Sequence, residues 1–320
     1  MATPIILDVD TGIDDAVAIM LAAKSRRMDI KAITTVFGNS TVDITTLNTL
    51  RVLELLGLKD IPVAAGAKKG ILSPLKAAQR GRGLPGNDGM MGLADKLPFP
   101  KKSPEQISAC ELMEKTVSES QNKVIFICMG PLTNMAVFLT AHPHLRSKIS
   151  GIVVTGGSAE KGDVLPSVEF NISADPEAAH IVFNSGVRVM VCGLEVTDNA
   201  YLTFEEREKI KLDGGRCADA FYPFLKKFGE YNEEVLMKDG CVFEDPVSVA
   251  WLLDPSMFKS VPYRISVDLT GRYTRGTTIC ASPEKENVRP NAMMAVDIDR
   301  ERFVEMLSRA FAPEEPAEQG

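Results

Sequence analysis

Short apolar runs alternate along the chain with stretches whose apolar residues recur at helical spacing. Five runs, Ile5–Val9, Ile30–Phe37, Val124–Met129, Ile149–Thr155 and Val187–Cys192, are continuous and rich in β-branched residues, as expected of parallel strands buried on both faces. Between them the pattern predicts helices over Asp14–Ser25, Val42–Leu56, Pro104–Ser120, Thr133–Ala141 and Pro176–Asn184. Two of these starts carry punctuation. Ser103 precedes Pro104 and Asp175 precedes Pro176, a cap residue followed by a residue whose missing N–H costs nothing in a first turn. Strand then helix, repeated, predicts a single α/β domain with a mostly parallel, Rossmann-like open sheet covered by helices on both faces.

Beyond residue 200 the alternation changes. Residues 203 to 240 read as helical, with Phe221, Phe224, Leu225 and Phe228 on one stripe, and residues 258 to 298 read as strand-rich. Arg300–Phe311 makes a closing helix, so the catalytic domain is expected over residues 1–312, with a polar, disordered tail over 313–320. The segment from Leu72 to Pro100 is rich in Gly, Pro and Lys and has no period. A loop of that length in a compact domain suggests a lid.

The formal net charge of −7 argues against nucleic acid and anionic membranes as partners, but leaves an uncharged small molecule open. No stretch approaches the roughly 20 apolar residues of a spanning helix. Met1-Ala2-Thr3-Pro4 lacks a secretory leader's basic and apolar regions, so a cytoplasmic location is expected. Cys110, Cys128, Cys192, Cys217, Cys241 and Cys280 are scattered, which suits free thiols in a reducing compartment better than disulfides or zinc.

In open parallel sheets, ligands bind beyond the carboxyl ends of the strands. There the chain carries Asp8-Val9-Asp10-Thr11-Gly12-Ile13-Asp14-Asp15, running off the first strand. Asp8 and Asp10 share a face by strand alternation, and Asp14 and Asp15 open the first helix. Four carboxylates so close repel one another unless a cation is present, and oxygen donors without Cys or His favour calcium or magnesium. Taken singly, these aspartates could merely cap a helix or a turn. Glu244-Asp245-Pro246 precedes another apolar helix, with Asp245 at the expected N-cap, so capping alone would explain it. Gly130-Pro131-Leu132-Thr133-Asn134 follows the strand ending at Met129, where an exposed carbonyl could serve a hard ion. In Pro166–Pro176, Glu169 and Asn171 are expected to alternate onto one face of an extended segment, an acceptor and an amide suited to sugar hydroxyls. Gly38-Asn39-Ser40 adds an amide at the same sheet edge.

These motifs, in this order, resemble the nucleoside hydrolase family, the inosine–uridine-preferring nucleoside N-ribohydrolases, over most of the chain from Ile5 to the C-terminal helix. The resemblance implies hydrolysis of a ribonucleoside to base and ribose, with Ca²⁺ held by Asp10, Asp15, Asp245 and the Met129 carbonyl. The family usually has threonine at the Met129 position, a change that a carbonyl ligand tolerates. It implies that Asp10 takes the proton of the attacking water, that Asp14 and Asn171 hold the 2′- and 3′-hydroxyls, that Glu169 holds the 5′-hydroxyl, and that Asn39 orients the sugar. It also implies a homodimer or homotetramer.

Three positions depart from the family. Glu244 stands for a histidine beside the late aspartate, Pro85 for the histidine of a His-Gly-x-Asp-Gly lid motif, and Asp163 for an asparagine near the 5′ end. His142, His144 and His180 lie outside these motifs and are expected to be structural or on the surface. A changed base side suggests an unusual or modified base, or one that leaves without enzymatic protonation. Glu244 would be either a recognition element or the proton donor. Two rival readings are a non-catalytic ribose or nucleoside sensor and a magnesium-dependent phosphatase starting with Asp-x-Asp. The phosphatase pattern leaves Asp14-Asp15 and Glu169-x-Asn171 unexplained.

Overall fold

The computed structural model describes residues 2–73 and 84–313. In chain order the first half comprises β1 (Thr3–Val9), α1 (Ile13–Lys24), β2 (Met28–Thr35), α2 (Val42–Leu56), β3 (Val63–Ala65), α3 (Ala109–Glu119), β4 (Val124–Cys128), α4 (Thr133–Ala141) and β5 (Ile149–Thr155). There follow α5 (Phe170–Ala174), α6 (Pro176–Phe183), β6 (Val189–Cys192), α7 (Leu194–Thr197), β7 (Tyr201–Leu202), α8 (Phe204–Asp213), α9 (Arg216–Glu234), β8 (Cys241–Val242) and α10 (Asp245–Leu253). The chain closes with β9 (Phe258–Val267), β10 (Thr278–Ala281), α11 (Pro283–Glu286), β11 (Ala292–Ile298) and α12 (Arg300–Phe311).

Nine strands form one sheet in the order β10-β9-β11-β6-β5-β4-β1-β2-β3. All pairs are parallel except β9 with β10 and with β11, which make an antiparallel edge. β7 and β8 form a separate ribbon. The order 3-2-1-4-5-6 reverses between β1 and β4, so the connections leaving those two strands diverge and open a crevice at their carboxyl ends. That topology positions the site.

Alternation along β1 divides the core. Ile5, Leu7 and Val9 pack into the layer containing α1, α9, α10 and α12, and Ile6 packs into the layer on the other face, with α3, α4 and α6. The Phe221–Phe228 stripe is buried in the first layer, as the spacing predicted. The phenylalanines make α9 strongly amphipathic, and Phe221 meets Phe311 of α12 edge-on with centroids 5.9 Å apart.

Two expectations are corrected. The helix predicted from Pro104 begins at Ala109 instead. Its cap is Ser108, whose hydroxyl accepts from the Glu111 N–H while the Glu111 carboxylate accepts from the Ser108 N–H. Pro104 lies outside because the next residue's N–H is bonded to the Val63 carbonyl of β3, which holds the segment extended. The expected lid is, over its described part, a pinned loop. Met90, Met91, Ala94 and Leu97 are buried, and the Asp88 carboxylate accepts from the N–H groups of Met90, Gly92 and Ala94. Residues 74–83 of that segment and 314–320 of the expected tail lie outside the described residues. Among the described residues no helix is long and apolar enough to cross a membrane. All six cysteines are free thiols.

Candidate active site

The Asp-rich run leaves β1 at the switch point. Asp10, Asp14 and Asp15 are all buried there, at most 5 % exposed. The Asp15 carboxylate folds back to accept from the N–H groups of Gly12, at 2.9 Å, and Asp10, at 3.3 Å. Asp10 accepts from the Asn39 N–H at 2.6 Å, and the Asn39 side-chain amide donates to Asp15 at 3.2 Å. Glycines let the chain close round Asp10. A Cβ on Gly38 would come within 2.0 Å of one carboxylate oxygen, and one on Gly130 within 2.7 Å of the other.

α1 packs against α10, and both helices begin at the crevice. This brings Asp245 to Asp14 and Asp15, with one carboxylate oxygen of each lying within 4.8 Å of the others. The sequence put Asp245 at the N-cap. In the structure Glu244 is the cap residue and Asp245 begins the helix, so its carboxylate is aimed by the first turn rather than spent on capping. Burial, then Asp14, Asp15, Asp10 and Glu244, push the Asp245 carboxyl well above the usual range. Burial also raises Asp15, to about 6, against the opposing hydrogen bonds from the Gly12 and Asp10 amides and Asp245.

Carboxylates packed this way are costly as anions without a counter-charge, and two helix N-termini supply only partial ones. A divalent cation would meet the need, and the oxygen-only donors suit a hard ion. Asp10 reaches this cluster through its amide and its charge. The three carboxylates with an oxygen each within 4.8 Å of one another are those of Asp14, Asp15 and Asp245, a group that includes Asp14, which the sequence reading assigned to the sugar.

Met129 directly follows β4 beside β1, its N–H bonded to the Asp8 carbonyl at 2.8 Å. Its own carbonyl accepts from the Asn171 side-chain amide at 2.9 Å, and the same nitrogen donates to the Thr155 carbonyl at 3.1 Å. Those two bonds fix the amide's orientation and leave the Asn171 oxygen as the acceptor it presents. A carbonyl oxygen has two lone pairs, so Met129 keeps one for a further ligand.

Glu169 and Asn171 do not lie on an extended segment. Glu169 caps α5, its carboxylate accepting from the N–H groups of Asn171, Ile172 and Gly157 at 2.8 to 3.0 Å. The residues still converge, because a helix turn replaces the strand alternation. Burial first, then Asp163, raise the Glu169 carboxyl to about 8 against those three bonds. Asp163 and Glu244 lie with Glu169 in a second group of carboxylate oxygens within 4.8 Å. Asp163 is exposed and Glu244 half-buried. Two of the three positions that depart from the family therefore meet at one rim.

Asp8 and Asp10 have separate partners. Asp8 accepts from the Thr34 hydroxyl at 2.6 Å and the Asn134 amide at 2.8 Å, and burial pushes it up to about 7. Asn134 was missed as a side chain. It also donates to the Thr35 carbonyl and accepts from the Ala67 N–H, tying together the ends of β1, β2 and β3. Asn48 was missed too; it donates to the carbonyls of Thr11 and Asp88 and so fastens the pinned loop to the Asp-rich turn. Only the Gly-Pro-Leu-Thr-Asn motif offered a sequence signal for Asn134, and Asn48 had none. The three histidines stay away from the site. His142 packs its ring 5.6 Å from Phe138, and His144 and His180 are exposed.

The family model described as inosine-uridine preferring nucleoside hydrolase matches residues 5–305. A pyrimidine-specific ribonucleoside hydrolase RihA from Citrobacter koseri is 42 % identical over 313 residues, 98 % of this chain and 99 % of that protein. The protein of the same name from Escherichia coli K12 is 42 % identical over 309 residues, 96 % and 98 % of the two chains. Among solved structures, a plant nucleoside hydrolase, PpNRh1, superposes with a TM-score of 0.90 at 30 % identity, covering 98 % of this chain and all of its own. A purine-preferring ribonucleoside hydrolase from Gardnerella vaginalis gives 0.86 at 28 % identity, covering 97 % and 98 %.

Proposed function

The chain belongs to the inosine-uridine preferring nucleoside hydrolase family and hydrolyses the N-glycosidic bond of ribonucleosides, and on that premise we propose how its own residues divide the work. The observation that carries the proposal is the buried carboxylate group of Asp14, Asp15 and Asp245 at the switch point, facing acceptors suited to a sugar.

Asp10, Asp15, Asp245 and the Met129 carbonyl would hold a calcium ion. When bound, the ion supplies the positive charge that positions the attacking water and eases its deprotonation. Asp10, clamped by the Asn39 N–H, takes the proton as the water oxygen bonds to C1′ of the ribose. Asp14 and the Asn171 oxygen accept from the 2′- and 3′-hydroxyls, while Glu169 and Asp163 face the 5′ end and Asn39 orients the sugar. As the C1′–N bond breaks, its electron pair moves onto the base and positive charge develops on the sugar. Acceptors already fixed by backbone bonds stabilise that charge without reorganising.

The substrate is a pyrimidine ribonucleoside, supported by the 42 % identity to the enzymes named for that specificity. Glu244, in place of a histidine, contacts the base as a recognition element, and the base leaves without protonation by a histidine. The six free thiols fit a cytoplasmic setting, and assembly as a homodimer or homotetramer completes the proposal.

Ribose release from a panel of uridine, cytidine, inosine and their 2′-deoxy counterparts, in calcium, tests the reading. Fastest release is expected from uridine or cytidine. No sugar from any nucleoside would overturn the assignment.

A further inference from the structure

The side-chain amide nitrogen of Asn232, beside the site, is a buried donor without a hydrogen-bond partner among the described residues. Asn232, in the last turn of α9, is 2 % exposed. Its side-chain oxygen accepts from the Val242 N–H at 3.0 Å, which fixes the orientation of the amide, because a backbone N–H can only donate. The amide nitrogen on the other side is buried with no acceptor among the described residues. A buried donor left unmade is expensive, so one at the edge of an active site calls for a function.

Asn232 lines a pocket together with Asp14, Asn39 and Glu244. The remaining wall includes Leu84, Phe228 and Val242, apolar surface suited to the faces of a flat ring. The pocket therefore joins Asp14 to an apolar slot with the buried Asn232 amide in its wall.

We propose that Asn232 assists departure of the base by donating its free N–H to a carbonyl oxygen on that base. This role rests on the ribonucleoside reading above and narrows its substrate class to bases whose carbonyl is conjugated with the glycosidic nitrogen. When the C1′–N bond breaks, its electron pair is shared between that nitrogen and the carbonyl oxygen. A hydrogen bond to the oxygen strengthens as its charge grows, so it favours the transition state over the bound substrate. Water supplies the oxygen that bonds to C1′, its proton goes to Asp10, and the departed base takes a proton from solvent. No histidine is needed at the Glu244 position for this route.

Asn232→Asp keeps an oxygen for the Val242 N–H and removes the donor; Asn232→Ala removes both. Each is assayed on uridine and on 4-nitrophenyl β-D-ribofuranoside, whose leaving phenolate is stable without help. Both variants should lose about 10²-fold in kcat on uridine. Both should keep 4-nitrophenol release within about threefold of wild type, which also reports an intact fold and ribose site. Equal losses on the two substrates, or no loss on uridine, would overturn the role while leaving the ribosidase reading standing. A wild-type chain inert on both substrates would overturn that reading, and this role with it.

Discussion

The floor and the wall of the crevice are built differently. The floor consists of Asp10, Asp15, Asp245, Glu169 and Asn171, each at most 6 % exposed and set just past a strand or at the start of a helix. Several of its acceptors are clamped by backbone N–H groups. The wall consists of exposed Asp163, half-buried Glu244 and the connection from α9 to β8, where Met237 is 82 % exposed and has a φ of 53°. A non-glycine residue in the left-handed region is uncommon and marks an irregular connection. Elements buried in two packed layers hold charges firmly, whereas exposed residues on connecting loops can change without disturbing them. On the proposed reading, water activation and ribose binding are therefore insulated from base choice.

The sharpest test of that separation removes the floor. Asp10→Ala and Asp15→Ala should each cost about 10³–10⁴-fold in kcat on every nucleoside, as expected when a base or its setting is lost. Asp15→Ala should also lower the melting temperature, since the Gly12 and Asp10 N–H groups and the Asn39 amide lose their acceptor. Retained activity in either variant, measured by ribose release, would dissolve the distinction.

Sugar recognition comes next in size. Removing the 2′-hydroxyl leaves a buried acceptor unpaired, worth about 1–3 kcal/mol, so kcat/KM should fall about 10–100-fold from uridine to 2′-deoxyuridine. Equal turnover would take Asp14 and Asn171 out of their assigned roles.

On the wall the effects should be smaller and selective. Glu244→Gln should raise KM about tenfold, the worth of roughly one hydrogen bond, for good and poor leaving groups alike. A loss of kcat confined to poor leaving groups would make Glu244 the proton donor instead. The smallest effect is a pH shift. Asp163 is one cause of the raised Glu169 carboxyl, at about 8, and on the proposed reading its ionised form accepts the 5′-hydroxyl's bond more strongly. In wild type kcat/KM should therefore rise with pH up to about 8. In Asp163→Asn, with a like charge removed, that rise should move to lower pH. A profile unmoved by the substitution would separate Asp163 from Glu169.

The floor was also the part that could be read from the sequence. The predicted boundaries of Val42–Leu56, Thr133–Ala141, Ile149–Thr155 and Arg300–Phe311 match the structure residue for residue, and in Arg300–Phe311 a strong helical period and the Asp299 cap act together. The Asp-rich run announced itself because four carboxylates in eight residues need a shared reason. Local signals failed where a tertiary bond decided. Pro104 looked like a helix start, yet the β3 carbonyl of Val63 holds the following residue extended. Glu169 looked like part of a strand, yet its carboxylate gathers three N–H groups and begins a helix. Asn134 and Asn232 were illegible for the same reason. An asparagine's importance depends on which backbone groups surround it, and no spacing rule reports that.

On the proposed reading, the buried carboxylates of Asp10, Asp15 and Asp245 hold one calcium ion on which nucleoside cleavage depends. The direct measurement is calorimetric titration of the chelated, dialysed protein with calcium, with ribose release from uridine followed on the same samples. One ion should bind per chain, activity should rise in proportion to occupancy, and Asp245→Ala should lose both. Full uridine hydrolysis by wild-type protein in excess chelator, with no divalent ion retained, would contradict the account.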